Sequence, residues 1–147
     1  MSKAVQALLS GIFFTYILDF FIFLGIKINY IDFYEIDLYY NILFADNQNI
    51  YVYAIFTIII GYLVMYNNST KLKVSVISFL SFLSILTLVH PIGYALGEMI
   101  LMKKNKVFKD SHHIFRGNIY YNGRDKITFY DREIDKIIIL KKKELIE

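Results

Sequence analysis

The chain has 147 residues, of which 56% are hydrophobic and 18% aromatic, and it carries a net charge of +3 with no cysteine and no tryptophan. This apolar and aromatic content is higher than that of an ordinary soluble domain. The absence of cysteine excludes disulfides, thiolate metal sites and cysteine nucleophiles. Residues 1–102 carry a net charge of −2 and residues 103–147 carry +5. The composition predicts an apolar membrane domain over residues 1–102 and a small basic tail over residues 103–147.

Three apolar stretches fill the first domain. They are Ala4–Ile26, Ile50–Tyr66 and Val74–Met102. A helix needs about 20 mainly apolar residues to cross ~30 Å of hydrocarbon, so we predict an integral membrane α-helical protein with three transmembrane helices. The first stretch is longer than the apolar region of a cleavable signal, and no small-residue cleavage site follows it. We therefore expect it to be retained as a span.

Two features modify this simple pattern. Residues 28–49 mix tyrosine, phenylalanine and leucine with four acidic residues, which predicts a helix that lies in the membrane interface rather than crossing the bilayer. Pro91 lies inside the third stretch, where it removes a backbone donor and frees the carbonyl four residues earlier. We expect the third span to tilt, to bend at Pro91, or to end in a short re-entrant piece.

The tail has the pattern of short β-strands. Three runs are rich in residues that favour strands: Ile114–Tyr121, Lys126–Tyr130 and Lys136–Lys141. The Asn122-Gly123 pair between the first two runs predicts a hairpin with a type I′ turn. We expect a small three-stranded antiparallel sheet, which buries too little surface to be stable alone. It must pack on itself in an oligomer, on the interfacial segment, or on another protein.

Lysines near the span ends indicate the topology. The tail begins with four lysines that we assign to the membrane surface, namely Lys103, Lys104, Lys106 and Lys109. Because lysine and arginine near span ends favour the cytoplasmic side, we predict an external N-terminus and a cytoplasmic C-terminus in a bacterial inner membrane. The same lysines favour anionic lipid headgroups, and we expect no nucleic-acid partner.

Small residues mark the predicted helix-packing faces. Ala7, Gly11 and Thr15 follow one another at four-residue spacing in the first stretch, and Asp19 continues the series. Residues at this spacing lie on one face of a helix. A stripe of small residues lets a second helix approach closely within a bilayer. Gly93 and Gly97 form a second, weaker pattern of this kind. We predict that both sets pack helices, within one chain or between copies.

Four polar side chains in the spans are candidates for an ion or proton path. They are Asp19, His90, Tyr94 and Glu98. A carboxylate at membrane depth is costly and rare without a partner. Asp19 is therefore a hydrogen-bond anchor between helices, a titrating or cation-binding group, or a contact for another protein. Counting residues from Lys27 and Lys103 places Asp19 between the levels of His90 and Glu98, so an Asp19–His90 pair is a fourth expectation.

The chain has no phosphate-binding glycine loop, HExxH motif or serine elbow, so we predict a protein that is not an enzyme and needs no cofactor. We assign the pair His112-His113 to the solvated surface and predict no metal site. Three functions remain open. The first is an accessory or adaptor subunit whose basic tail docks a partner protein. The second is a homo-oligomeric channel or membrane-disrupting effector, and the third is an immunity or exclusion protein.

Overall fold

The structure is a computed structural model that describes residues 2–110 and 113–145, and in these ranges five α-helices precede one antiparallel sheet. The predicted order of helices followed by a sheet is confirmed. The helices are α1 (Lys3–Ile26), α2 (Tyr40–Asn47), α3 (Ile50–Tyr66), α4 (Thr70–Leu86) and α5 (His90–Leu101). The strands are β1 (Lys103–Lys109), β2 (Ile114–Asn122), β3 (Lys126–Asp131) and β4 (Lys136–Lys141).

The first helix is longer than predicted. Its start is capped by Ser2, whose hydroxyl accepts a hydrogen bond from the Val5 N–H at 3.3 Å. Gly25, next to its predicted end, does not interrupt the helix, and α1 continues into a π-helical segment, Lys27–Ile31. The continuous helix Lys3–Ile31 has 29 residues, and it is the one helix of the described chain that is by itself long and apolar enough to cross a membrane.

The second apolar stretch forms α3 with the predicted bounds. Its first turn is capped by Asn49, whose side-chain oxygen accepts from the N–H groups of Tyr51 and Val52. Within the predicted interfacial segment a short helix, α2, precedes it, and the axes of α2 and α3 differ by 86°. This pair meets the length and apolarity needed for a membrane crossing only if the two helices are counted together.

The third apolar stretch, predicted as a span over residues 74–102 that tilts, bends at Pro91 or ends in a short re-entrant piece, forms two helices rather than one. The two helices meet the length and apolarity needed for a membrane crossing only if they are counted together. Helix α4 begins earlier, at Thr70, and ends at Leu86; α5 begins at His90 and runs at 86° to α4. Pro91 lies in the first turn of α5, where a missing N–H costs nothing and the fixed φ suits a helix start. The bend expected near Pro91 is therefore present. It is a break between two helices at 86° rather than a kink within one helix.

The long first helix is the centre around which the other helices pack. Helix α3 lies along its first half: a side chain at Gly11 would collide with the Thr57 carbonyl, and one at Gly61 would collide with the Ala7 carbonyl. Glycine at these two positions lets the backbones of α1 and α3 come this close. Helix α5 lies along the second half, where Gly97 meets the ring of Tyr30.

The tail is a four-stranded meander in the order β1-β2-β3-β4, and the prediction of three strands missed β1. The lysine-rich sequence of β1 resembles a membrane-flanking segment, yet it pairs with β2 from Lys106↔Gly117 to Lys109↔Ile114. The type I′ turn is also wrong, because no glycine of the described chain has a positive φ. One face of the sheet has its own core, formed by Ile119, Ile127, Phe129 and Leu140.

The sheet docks on the helices rather than standing alone. Tyr121 joins a core of fully or nearly buried side chains from the second half of the long helix, α2 and α5. This core consists of Phe23, Ile26, Tyr30, Ile31, Leu43, Leu101 and Tyr121. The Tyr30 hydroxyl donates to the Tyr120 carbonyl at 2.9 Å. The sequence analysis gave three ways to stabilise the sheet: an oligomer, the interfacial segment or another protein. In the structure the sheet packs on the interfacial segment, residues 28–49.

This packing divides the molecule into two regions, a belt and a cap. The belt comprises residues 3–19 together with α3 and α4. Its outward side chains are apolar and exposed, among them Leu8, Phe13, Ile58 and Phe82. The cap comprises residues 20–49, α5 and the sheet, and it has the core described above. The short loop 67–69 lies at the end of the belt opposite the corner between α2 and α3.

Candidate functional site

Asp19 lies where the belt meets the cap. Its Oδ2 accepts a hydrogen bond from Gln48 Nε2 at 3.0 Å, and Gln48 immediately precedes the cap residue of α3. The expected pairing of Asp19 with His90 is not what the structure has. The residue count behind it assumed two straight parallel helices, and the 86° bend between α4 and α5 breaks that assumption.

Asp19 also borders a cleft between α3 and α4 with a volume of about 280 Å³. The cleft is lined mainly by apolar side chains from α1, α3 and α4, among them Leu18, Val52, Phe56 and Leu83. Of the described residues that line the cleft, Asp19 alone has an ionisable carboxylate or a basic side chain. The arrangement places one carboxylate in the wall of a mainly apolar cleft that spans the boundary between the belt and the cap.

The break between α4 and α5 is held by a residue that the sequence analysis did not single out. Asn29 Nδ2 donates to the carbonyls of Thr87 and Leu88 at 3.0 and 3.1 Å. Thr87 is the cap residue at the end of α4, so its carbonyl has no donor within a helix. Asn29 is 5% exposed, and its side chain replaces the missing helical donor. Two features of the sequence could have indicated this contact. One is the Thr87 carbonyl, four residues before Pro91, and the other is the single amide side chain of Asn29 next to an apolar stretch.

The other three polar candidates belong to the cap. His90 is exposed and lies against the rings of Phe33 and Tyr94, with ring centres 5.7 and 5.9 Å apart. The hydroxyls of Tyr34 and Tyr94 are hydrogen-bonded. Burial, followed by the Tyr94 hydroxyl, raises the pKa of Tyr34, so the Tyr34 hydroxyl is neutral at ordinary pH. Glu98 bonds Lys104 at 2.7 Å. Tyr94 and Glu98 therefore have partners other than Asp19.

The Tyr34 ring links the helices to the sheet. Its centre is 4.1 Å from that of Tyr120 in β2, which in turn stacks on Tyr130 in β3 at 5.9 Å. Aromatic pairs of this kind add to the energy of burial. Together with the Tyr30–Tyr120 hydrogen bond, they make a continuous aromatic contact from the long helix to the sheet. The sheet is thus fixed in orientation relative to the cap.

A bidentate ion pair adds a second attachment. Arg124, in the β2–β3 turn, places its Nε 2.9 Å and its Nη2 2.6 Å from the carboxylate oxygens of Asp46 in α2. The hydrogen bond from Arg124 lowers the pKa of the Asp46 carboxyl. Both groups are at the surface, so we expect a small contribution to stability and a larger one to orientation.

The four lysines assigned to the membrane surface all lie in β1, and all are exposed. Lys104 is partnered by Glu98, which raises the pKa of the lysine through a hydrogen bond and its charge. Lys103 and Lys106 border an irregularity in the pairing of β1 with β2. Between them Asn105 adopts a positive φ of 56°. The lysines are therefore strand residues as well as candidates for contact with headgroups.

A groove of about 570 Å³ separates the 34–42 segment from the sheet. We call it the β4 groove. Its apolar residues are Ile36, Leu38 and Ile42 on one side and Ile137 and Ile139 on the other. The two isoleucines of β4 are 45% and 66% exposed, although their neighbours Ile138 and Leu140 turn into the sheet core. Strand β4 is at the edge of the sheet and pairs only with β3.

Within the described residues, no three His, Cys, Asp or Glu side chains are grouped so that they could hold a metal ion. His112 of the pair considered above lies outside the described residues. In comparisons with known proteins, no family model, no curated protein and no solved structure matches this chain. Any functional conclusion therefore rests on the geometry.

Proposed function

We propose that this chain is a small membrane protein with three crossings that acts, without enzymatic chemistry, as an accessory or adaptor subunit. The crossings are residues 3–19, α3 and α4, and the sheet is the docking element for a partner protein. The membrane assignment is supported by the continuous helix Lys3–Ile31 and by the exposed apolar side chains of the belt, which water would disfavour.

The polar groups of the belt agree with this placement. Lys3, Lys71 and Lys73 mark one end, where the Lys3 ammonium lies 5.0 Å from the centre of the Tyr66 ring. Asp19 and Gln48 mark the other end. Helices α3 and α4 have 17 residues each, or about 25 Å at 1.5 Å per residue. This length crosses a thin bilayer or one that thins locally.

In this arrangement the cap is entirely on one side of the membrane. Its lysines at positions 27, 103, 104, 106 and 109 outnumber the three at the opposite end of the belt. By the lysine rule the cap is cytoplasmic and the N-terminus is external. A bacterial cytoplasmic membrane is the setting that we propose. Helix α2 lies across the end of α3, as an interfacial helix would.

The observation that carries the adaptor role is the β4 groove. Ile137 and Ile139 leave apolar surface next to an unpaired strand edge, and exposed edges of this kind pair with other chains. The aromatic contact and the Arg124–Asp46 pair hold this edge in a fixed orientation on the cap. We propose that an extended segment of a partner pairs with β4 and inserts alternate apolar side chains into the groove.

The lysines around β4 define the chemistry of this partner. Lys136 begins the strand, and Lys142 and Lys143 follow its end. Acidic residues beyond the ends of the partner segment would complement these lysines, whereas the groove itself is lined by charges of both signs, namely Glu35, Asp37, Asp125, Arg124 and Lys126. The channel or effector alternative receives less support, because Asp19 and Glu98 are already bonded within the chain by Gln48 and Lys104. The immunity alternative has the same architecture and no feature of its own.

The test uses photo-crosslinking residues in the full chain in its own host membrane. One variant carries the crosslinker at Ile139 in β4, and the control carries it at Val107 in β1, which is 61% exposed. The proposal predicts one dominant adduct to a different protein from position 139 and none from position 107. Equal adducts from both positions, or adducts only to a second copy of this chain, would contradict it.

The complex so identified is then examined by hydrogen exchange. Pairing with β4 predicts that its outward amides become protected in the complex, and that the double change Ile137→Lys and Ile139→Lys abolishes co-purification. The melting temperature of that variant serves as the control for folding, since both side chains are exposed and a small change is expected. Co-purification that survives the double change would exclude the β4 groove as the docking site.

A further inference from the structure

The cleft beside Asp19 has a form that neither the fold nor the adaptor role requires. Helices α3 and α4 both pack on α1, but they diverge from the 67–69 loop toward the cap and leave the cleft between them. Its walls are Val52 and Phe56 on one side and Leu80 and Leu83 on the other. Its floor is Leu18 of α1. In a membrane such an opening must be filled.

We propose that the cleft binds one acyl chain of a phospholipid whose headgroup carries an ammonium group, and that Asp19 faces that ammonium. This inference rests on the proposed membrane placement of the belt. Asp19 lines the cleft near the level of Gln48 and the start of α3, with Leu18 on its belt side and Ile22 on its cap side. Headgroups lie at this level, and acyl chains extend from it into the belt.

Charge and polarity select the headgroup. The carboxylate of Asp19 accepts one bond from Gln48 at Oδ2. A zwitterionic headgroup with an ammonium can pair with the carboxylate, whereas an anionic headgroup is repelled. An adjacent ammonium also favours the charged form of the carboxylate over the neutral one. In the described part of the chain, none of the residues that line the cleft is positively charged. The ammonium of the lipid therefore supplies the positive charge that pairs with Asp19.

Size selects an acyl chain over a second protein helix. A helix with its side chains is about 10–12 Å across, and a space of about 280 Å³ is too narrow to admit one. An extended hydrocarbon chain is much thinner and contacts apolar side chains along its length. Leucine, valine and phenylalanine walls provide such contacts.

The chain has no tryptophan, so one introduced tryptophan reports on its own surroundings. Phe56→Trp places it in the wall of the cleft, and Phe13→Trp places it on the outward face of α1, where Phe13 is 59% exposed. Each variant is reconstituted in vesicles of equal parts phosphatidylethanolamine and phosphatidylglycerol. The acyl chains of either the first or the second lipid are brominated, so bilayer composition stays constant while the quencher changes.

The inference predicts that the tryptophan at position 56 is quenched preferentially by brominated phosphatidylethanolamine. The expected preference is on the order of three-fold, the size of effect that an exposed ion pair supports. Asp19→Asn should remove the preference and Asp19→Glu should retain it, with circular dichroism as the check on folding. The tryptophan at position 13 should be quenched equally by both lipids.

The outcomes separate this inference from the membrane placement. Equal quenching by both lipids at position 56, with normal quenching at position 13, would overturn the lipid site and leave the membrane placement intact. A preference that persists in Asp19→Asn would overturn the role of the carboxylate. No quenching at position 13 by either lipid would instead overturn the placement of the belt. A photo-crosslinking residue placed at position 56 that captured a second copy of this chain would instead assign the cleft to that copy.

Discussion

The two halves of the long first helix have similar compositions and opposite surroundings. In the first half, Leu8 and Phe13 are 51% and 59% exposed; in the second half, Phe23 and Ile26 are 7% and 0% exposed. Protein covers the second half, since α2, α5 and Tyr121 pack around it. An apolar helix of 29 residues therefore need not lie in lipid over its whole length. We infer that the bilayer ends near Asp19, where exposure changes.

The two regions also differ in where side-chain hydrogen bonds go: in the belt Tyr53 donates to the helical carbonyl of Ile12, whereas in the cap such bonds reach irregular backbone. Cap backbone departs from regular helix at the π-helical segment and at the break before α5. Each departure leaves carbonyls that need donors. Asn29 and Tyr30 supply donors to the Thr87, Leu88 and Tyr120 carbonyls. In the belt, the helices are regular and close packing at Gly11 and Gly61 is the main specific contact.

The largest effect is expected where the belt backbones are closest. Gly11→Leu places a side chain against the Thr57 carbonyl, which cannot move without displacing α3. We expect a loss of more than about 3 kcal/mol in the free energy of unfolding, at the upper end for overpacking. The measurement is a thermal melt of the purified protein in detergent. Ala54→Leu is the matched control, because Ala54 is exposed on α3. Equal melting of both variants would contradict the close approach.

The next effect separates the cap from the belt. Tyr30→Phe leaves the Tyr120 carbonyl without its donor, and Tyr30 is fully buried. The expected cost is about 1–3 kcal/mol. Limited proteolysis should release the sheet faster while the belt remains intact. Tyr39→Phe is the control, since Tyr39 is 73% exposed. If both variants resist the protease as the parent does, Tyr30 does not hold the sheet.

The smallest effect concerns the Arg124–Asp46 pair and depends on pH. Because the arginine lowers the pKa of Asp46 in the folded chain, the pair stabilises the fold above the unfolded pKa. That stabilisation is lost as pH falls through the lower folded value. The expected result is that Arg124→Gln lowers the melting temperature slightly at pH near 7, and that the difference disappears in acid. Arg116→Gln, an exposed change in β2, should show no such dependence. A difference that persists or grows in acid would contradict the assignment.

Local sequence signals predicted the elements with clear boundaries. Helix α3 has the bounds given by its apolar run, and β4 has those given by its isoleucine-rich run between Lys136 and Lys141. Pro91 marked the bend between α4 and α5 correctly. The misses have physical reasons. Strand β1 has the composition of a membrane flank, and its pairing depends on β2, which follows it in the chain. Glycine in Asn122-Gly123 does not force a positive φ.

The candidate site was less predictable because its contacts are distant in sequence. Asp19 and Gln48 meet only because α2 turns 86° away from α3. Asn29 reaches Thr87 only because α5 folds back against the π-helical segment. The sequence identified Asp19 as an unusual residue in an apolar stretch. Its partner could not be identified, because that depends on the bends between α2 and α3 and between α4 and α5. The location of the sheet on the cap also depends on long-range aromatic contacts.

The most direct test of the account is the sidedness of the 67–69 loop and the β3–β4 turn. The chain has no cysteine, so Asn68→Cys and Glu133→Cys, both at exposed positions, each create a single reporter in intact cells. A membrane-impermeant thiol reagent should label position 68 in intact cells and position 133 only after the membrane is opened. Labelling of both positions from the same side would contradict three crossings through the belt.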